Sequence, residues 1–140
     1  MKEVFYGWID TVKPFTAERL GSVVCYGDGN GNFVMHDLPA SLQMAPVFAF
    51  QKIYKNDNKE QAFVAGGNFF DVIPYEGRYD AQPMSLFSIT RDNKIKHIPQ
   101  QVLSNIKGQV RDLKWIRMND QRNLLMIARN NDSMIFMQLN

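Results

Sequence analysis

The chain has 140 residues, of which 45% are hydrophobic and 21% charged, and this length is enough for one domain with a buried core. Its 16 basic and 14 acidic residues are spread along the sequence without a basic stripe, so nucleic acid is not a predicted partner. No apolar run is long enough to cross a membrane, so no transmembrane span is predicted. A single cysteine, Cys25, and two histidines give poor support for a metal or redox centre, and no cofactor is predicted.

The N-terminal part of the chain begins a pattern of short strands. SVVCY (22–26) is rich in β-branched residues and FVMHDL (33–38) alternates in polarity, so both are predicted strands. The GDGNGN segment between them (27–32) predicts a Gly/Asn turn, and calcium is disfavoured there, because Asp28 is its only carboxylate and calcium takes roughly six to eight oxygen ligands. Cys25 is predicted to be a small buried hydrophobe.

The middle of the chain supplies four further predicted strands, VFAFQKIY, QAFVAGG, SLFSI and NKIKHI. The turn segments KNDNK (55–59) and TRDN (90–93) and one long connection separate them. Two short pieces, PASLQM (39–44) and PQQVLSNI (99–106), lie on either side of this set. Each predicts a turn or one loose helical turn.

The C-terminal part of the chain repeats the middle part at a constant offset, which aligns residues 46–68 with residues 109–131. In this alignment five apolar positions match: Val47 with Val110, Phe50 with Leu113, Ile53 with Ile116, Val64 with Ile127 and Ala65 with Ala128. The segments NFVMHDLP and NKIKHIP also correspond, which places His36 and His97 at matching points of an outer strand. An ordered series of matches of this kind predicts a structural repeat.

Four short antiparallel strands that recur about every sixty residues are typical of β-propeller blades. The sequence therefore predicts one all-β repeat domain over residues 1–140, with an outer half-blade (5–38), a full blade (46–98) and an inner half-blade (109–139). This makes about two blades' worth of strands, whereas a closed propeller needs roughly four to eight blades. Either several copies of the chain form a homo-oligomeric ring, or the remainder of a longer propeller chain completes it.

Four segments carry a family resemblance: GDGNGNF (27–33), LPASLQMAPVFAF (38–50), AGGNFFDVIPYEGRYDA (65–81) and GQVRDLKWI…LLMIARNND (108–132). They resemble the C-terminal part of VCBS/FG-GAP-type repeat proteins of Bacteroidetes-like bacteria. The resemblance implies a β-propeller used for binding or scaffolding rather than for chemistry. Blades of that family often bind calcium in an acidic loop, but the corresponding hairpins YKNDNKE and RMNDQRN each hold one Asp among Lys or Arg, so calcium is disfavoured here as well.

The resemblance also implies a periplasmic or extracellular location. The N-terminal segment MKEVFYGWIDTV has no apolar run followed by a small-residue cleavage site. Either the protein is cytoplasmic, or this chain is the tail of a longer, exported one.

The segment PYEGRYDA predicts the main candidate binding site, a ligand-binding set of five residues: Tyr75, Glu76, Arg78, Tyr79 and Asp80. The two tyrosines would stack on a sugar or a peptide while the charged residues form hydrogen bonds. The alternative is a long connection between two blade strands, in which Arg78 pairs with Asp80 or with the backbone. This structural interpretation is favoured, because Glu18 and Arg19 repeat the chemistry ahead of an earlier strand.

A second candidate group is the NND segment, which supplies Asn130, Asn131 and Asp132. These residues would bind something polar at one end of the ring, but an Asn-rich turn is the favoured interpretation. Asp112 is a further candidate, for a ligand contact or for pairing with a neighbouring blade, since its counterpart Ala49 carries no charge.

Three functions stay open at this point. The favoured prediction is a non-enzymatic binding or scaffold module of an exported or surface bacterial protein, with protein or carbohydrate as the partner. No G-x-S-x-G or H-E-x-x-H motif is present. One alternative is a subunit of a carbohydrate-processing enzyme that uses Glu76 and Asp80, although Arg78 between them is expected to hold both carboxylates ionised. The other is a purely structural segment that closes a larger propeller.

Overall fold

The computed structural model describes residues 13–53 and 60–139, and most of its regular structure is β-strand. Along these residues the strands are β1 Val23–Gly27, β2 Phe33–Asp37, β3 Val47–Ile53, β4 Glu60–Gly67, β5 Ser85–Thr90, β6 Ile95–Ile98, β7 Gln109–Arg117, β8 Asn123–Asn130 and β9 Ile135–Met137. A 3-10 turn at Ala40–Leu42 and a helical turn α1 at Gln101–Ser104 lie where the sequence predicts single turns. Neither has the length and apolarity that crossing a bilayer requires, and the same is true of every helix in the described ranges.

The strands form three antiparallel sheets: sheet 1 with the order β1-β2, sheet 2 with the order β3-β4-β5-β6 and sheet 3 with the order β7-β8-β9. Strands that neighbour each other in a sheet are therefore consecutive in the chain, and none of the three sheets closes on itself. The all-β prediction is confirmed. Over residues 109–139 the sequence predicts an inner half-blade of two strands, whereas sheet 3 has a third strand, β9.

Sheet 2 lies between the other two sheets and is buried on both faces. One face, with Ala65 and Phe87, packs on Leu38 and Leu42, which follow sheet 1 in the chain. The opposite face packs on sheet 3 through a larger apolar cluster, whose buried members are Ala49, Ala62, Val64, Met84, Leu86, Leu103, Val110, Leu113, Leu125 and Ile127. Four consecutive residues of β5, SLFS, are buried, because alternate side chains face different layers.

A β-bulge recurs in the first strand of sheets 2 and 3. The register shifts by one residue between Val47 and Ala49 in β3 and between Val110 and Asp112 in β7. The repeat offset separates these two positions, so the predicted match of Val47 with Val110 marks equivalent places in the two sheets. Bulges bend a strand and redirect its side chains. In both strands the shift comes near the end from which the candidate loops emerge.

The repeat offset does not continue into the second strand of each sheet. Phe50 pairs with Ala65 and Leu113 pairs with Ile127, so Ala65 corresponds to Ile127 and not to Ala128. The predicted matches of Val64 with Ile127 and of Ala65 with Ala128 are therefore each wrong by one residue. The reason is the hairpin length, since positions 54–59 separate β3 from β4 whereas the shorter segment 118–122 separates β7 from β8.

Two expectations for the outer strands are also corrected. His36 pairs with Val24, which packs toward sheet 2, whereas His97 pairs with Phe87, which packs toward sheet 1. The two histidines therefore do not occupy matching positions. Cys25 is exposed and not buried, because it neighbours Val24 in β1 and its side chain points to the face of sheet 1 opposite to that of Val24.

Candidate functional site

The long loop, residues 68–84, connects β4 to β5 and begins at a residue with left-handed backbone. Asn68 has φ of 79°, a conformation that Asn tolerates better than most residues, and its N–H donates to the carbonyl of Pro46 at 2.9 Å. Gly67 precedes it, and a Cβ at Gly67 would collide with the backbone at Pro46. The Gly-Asn pair thus allows the chain to leave the sheet and start the loop.

The base of the long loop is closed by paired backbone groups. Phe69 and Tyr79 exchange two N–H···O=C hydrogen bonds of 2.8 and 2.9 Å, and the N–H of Gln82 donates to Asn68 Oδ1 at 2.9 Å. At the tip, Glu76 N–H donates to the Ile73 carbonyl at 2.9 Å in a turn. The candidate segment therefore lies in a connection between the second and third strands of sheet 2, as the sequence predicts.

A polar network ties the base of the long loop to sheet 3. The Asn68 side-chain amide donates to the Gly108 carbonyl at 3.1 Å, and Phe70 N–H donates to Gln109 Oε1 at 3.0 Å. The guanidinium of Arg111 donates to the Asn68 carbonyl at 2.8 Å and to Gln109 Oε1 at 2.6 Å. Asn68 and Gln109 are buried, so satisfied hydrogen bonds of this kind hold the loop in one place.

This network of Asn68, Gln109 and Arg111 is not predicted from the sequence. Arg111 also lies over the ring of Phe48, with its guanidinium carbon 4.3 Å from the ring centroid. The signal that would have found it is the pairing of an aromatic with a cation across the repeat, since the repeat offset carries Phe48 onto Arg111. Stacked arginines of this kind are common at packed junctions.

Arg78 does not pair with Asp80. The guanidinium carbon of Arg78 lies 5.2 Å from the centroid of the Phe70 ring. Because Phe69 is bridged to Tyr79, the antiparallel register sets Arg78 directly opposite Phe70, and this cross-strand contact forms instead of the expected ion pair. Asp80 is left without a charged partner among the described residues.

A cavity of about 470 Å³ lies between the base of the long loop and the turn that leads into β7. It is lined by Asn68, Phe70, Asp80, Ala81, Gln82, Pro83, Ile106, Lys107 and Gly108. We call it the loop cavity. Of the five predicted residues around the tip, Asp80 alone lines it. Tyr79 lines a separate depression beside Leu20 and Gln43.

The turn that follows β8 reaches the same end of the sheets. Asn130 Nδ2 donates to Asp71 Oδ2 of the long loop at 3.4 Å, and Asn131 has φ of 52°. Asp132 forms an ion pair of 2.6 Å with Arg129, whose guanidinium also donates to the Lys107 carbonyl at 2.9 Å. Asn131 and Asp132 therefore lie in the turn after β8, as the favoured interpretation has it, whereas Asn130 is the last residue of β8 and contacts the long loop.

The other predicted residues are placed apart from the loop cavity. Tyr75 is 85% exposed at the tip of the long loop, and Glu76 beside it is also exposed. Asp112 forms an exposed ion pair of 3.6 Å with Lys114 on the side of sheet 3 that faces away from sheet 2. The two groups of candidate residues predicted from the sequence thus lie at the tip of the long loop, at its base, and at the end of β8 with the turn that follows. Asp112 lies apart from all three.

The resolved shifts in carboxyl pKa lie in hairpin turns and not in the long loop. A hydrogen bond from Lys94, with a second from Thr90, lowers the pKa of Asp92 to about 2. Hydrogen bonds from Asn32 and Asn30 lower the pKa of Asp28. These carboxylates stabilise turns. Both carboxylate oxygens of Asp28 accept hydrogen bonds from Asn30 and Asn32 within the GDGNGN segment, as expected for an Asx-type turn.

No group of three or more His, Cys, Asp or Glu side chains in residues 13–53 and 60–139 is arranged to hold a metal ion. The hairpin at 54–60, the first of the two at which calcium is disfavoured, lies mostly outside the described residues. In the other hairpin, Asp120 is paired with Arg122 at 2.6 Å.

Comparisons with protein-family models, with curated proteins and with solved structures found no match to the chain.

Proposed function

We propose that the chain is a non-enzymatic binding or scaffold module of an exported or surface-associated bacterial protein, which engages protein or carbohydrate through the loops at one end of its sheets. The observation that carries this proposal is the meeting of the long loop with the turn after β8, where Asn130 donates to Asp71. Loops that a rigid frame holds in place are where binding residues concentrate. The bacterial origin and the export rest on the resemblance to VCBS/FG-GAP-type proteins.

The tip of the long loop offers the contacts that a partner would use. Tyr75 is almost fully exposed, with Glu76 beside it, while Arg78 is fixed in direction by its contact with Phe70. Tyrosine and arginine are enriched among the residues that dominate binding energy at interfaces. A tip built in this way suits the planar groups of a peptide or the faces of a sugar.

The experiment is a screen of the purified chain against a glycan array and a protein array, repeated with Tyr75→Ala and Arg78→Ala. We expect a specific partner whose binding falls at least tenfold in both variants. Met118→Ala and Arg122→Ala are the controls, because both residues lie in the hairpin between β7 and β8, at the opposite end of the strands from the long loop. A partner that binds the tip variants as well as the wild type contradicts the proposed surface.

The carbohydrate-processing alternative is tested separately with Glu76→Gln and Asp80→Asn. Glu76 lies at the tip and Asp80 lines the loop cavity, so they occupy different parts of the loop. A binding module keeps partial affinity in both variants and shows no turnover of a bound glycan. Turnover by the wild type that both amide substitutions abolish would establish the enzyme and overturn the proposal.

We further propose that the three sheets are propeller-type blades and that a further sheet of the same kind covers the outward face of sheet 3. Sheet 2 supports this, because both of its faces are covered by neighbours in chain order. The outward face of sheet 3 carries apolar side chains that are only half-buried or exposed: Ile116, Leu124, Met126 and Phe136. Sheet 1 similarly exposes Phe33 and Met35. A second copy or the remainder of a longer chain would supply the cover.

Light scattering over a range of concentrations distinguishes these two sources of cover. If copies associate head to tail, Phe33→Glu and Phe136→Glu each abolish assembly alone, yet an equal mixture forms a dimer, because each variant retains the face that the other lacks. A wild-type chain that stays monomeric at all concentrations excludes the ring of copies. The longer chain then remains as the proposed source.

A further inference from the structure

The loop cavity carries two opposite charges that do not neutralise each other through a direct contact. Asp80 lines it from the long loop and Lys107 from the turn before β7, and no described residue forms an ion pair with either. The formal charges of these two walls cancel. An anionic ligand would meet Asp80 and a cationic ligand would meet Lys107, so the cavity favours a neutral ligand that both donates and accepts hydrogen bonds.

A third polar group of the cavity wall also lacks a partner. The Gln82 side chain is 2% exposed, and its Nε2 donates to the carbonyls of Ser41 at 2.8 Å and Pro83 at 3.0 Å. Its Oε1 is buried and accepts no hydrogen bond from any described residue. Asn68 differs, because both ends of its amide are used within the protein. Because Gln82 Oε1 is buried, the acceptor that the cavity wall exposes to a ligand is the carboxylate of Asp80.

Part of the remaining wall is apolar and includes an aromatic ring. Phe70, Pro83 and Ile106 line the cavity, and the contact with Arg78 holds the ring of Phe70 in place. A volume of about 470 Å³ lies within the roughly 300–1,000 Å³ of small-molecule sites.

We propose that the loop cavity is a carbohydrate subsite for a neutral hexose or disaccharide. One hydroxyl donates to Asp80, a neighbouring hydroxyl accepts from Lys107, and the C–H face of the sugar packs on Phe70. Neutral hydroxyls match walls whose charges cancel, because each hydroxyl is donor and acceptor at once. This assignment rests on the proposed binding function and names the ligand class and the part of the surface that takes it.

The test is a titration of the full chain with glucose, galactose, mannose, maltose and cellobiose, followed by amide chemical shifts. We expect at least one of these sugars to shift the amides of Asp80 and Gly108 in a saturable manner. Asp80→Asn and Lys107→Met should each weaken that binding at least tenfold. Asp120→Asn and Lys94→Met are charge-matched controls in hairpins outside the cavity and should bind as the wild type does.

Three results would overturn the cavity assignment, and they differ in what they mean for the proposed function. Sugar-induced shifts confined to the tip around Tyr75, with wild-type affinity in Asp80→Asn, would move the sugar site to the tip and leave the binding function standing. Binding of inorganic phosphate or spermidine in the cavity would show a charged ligand class. No shift with any of the sugars would remove the carbohydrate subsite, and the protein array would then decide the binding function by itself.

Discussion

The two junctions of the central sheet are built from different interactions. Toward sheet 1 the contacts are mainly apolar, with Phe87 packed among Leu38, Leu42 and the rings of neighbouring strands. Toward sheet 3 an apolar cluster is joined by directed hydrogen bonds, among them one of 2.8 Å from the Trp115 indole to the Lys52 carbonyl. Apolar packing is not directional and sets mainly the distance between two sheets. Hydrogen bonds are directional, so they also fix the position of one sheet along the other. The candidate binding loop leaves from the hydrogen-bonded junction.

The largest expected effect comes from breaking the apolar junction. Phe87→Ala removes a ring that is 2% exposed and stacked on Phe63 at a centroid distance of 5.5 Å. We expect the free energy of unfolding to fall by about 3–5 kcal/mol in urea denaturation, from lost burial and the cavity that remains. Phe33→Ala, at a ring 65% exposed, should change it by less than about 0.5 kcal/mol. Equal losses in the two variants would contradict the burial of Phe87 between sheets.

The next effect tests how closely sheets 2 and 3 approach. A Cβ at Gly66 would lie 2.8 Å from Val110, which is too near for both side chains to stay in place. Gly66→Ala should therefore lower the free energy of unfolding by about 1–3 kcal/mol. Because the Val110 Cβ itself would lie 2.9 Å from the new Cβ, the relieving partner is Val110→Gly, and in that double variant the cost of the alanine at position 66 should largely disappear. Strict additivity of the two single substitutions would show that the sheets do not meet there.

A smaller effect compares single hydrogen bonds at the two junctions. Trp115→Phe removes the donor to the Lys52 carbonyl, and we expect a loss of about 0.5–1.5 kcal/mol in the free energy of unfolding. Tyr26→Phe removes a weak contact of 3.5 Å with the Asn93 carbonyl, at the junction with sheet 1. It should change stability less than Trp115→Phe does. A larger loss of stability in Tyr26→Phe than in Trp115→Phe would contradict the conclusion that the stronger hydrogen bonds lie between sheets 2 and 3.

The smallest effect is a dependence on pH in the β5–β6 hairpin, away from both junctions. Lys94 and Thr90 hold the pKa of Asp92 at about 2, below its ordinary value of 3.8. Because the pKa is lower in the folded chain, the stabilisation is complete above pH 3.8 and is lost as the pH falls toward about 2. Asp92→Asn should flatten this part of the stability profile. A variant with the same acid dependence as the wild type would contradict the contribution of Asp92.

The sequence predicts the strands because their signals are local. Alternating polarity in FVMHDL and VFAFQKIY, and turn residues such as GDGNGN, depend on neighbours a few residues away. The two helical turns are predicted for the same reason. The short β9 is not distinguished from its surroundings, because a three-residue strand carries too few alternations to form a pattern.

The candidate site is only partly predictable, because its shape depends on distant contacts. The hydrogen bond from Asn68 to Gly108 joins residues 40 positions apart, and nothing near either residue announces it. The orientation of Arg78 follows from the pairing of Phe69 with Tyr79, which overrides the attraction of a carboxylate two residues away. The loop itself, with its length and polar residues, is visible in the sequence.

The most direct measurement is amide hydrogen exchange at the base of the long loop, because the proposed binding surface requires that sheet 3 hold this base in place. The amides of Phe70 and Gln82 donate to side chains of Gln109 and Asn68. Both should exchange slowly, at rates close to that of Val64 in β4 and far below that of Tyr75 at the tip. Exchange of Phe70 and Gln82 as fast as Tyr75 would mean that the loop has no fixed base, and would contradict the account.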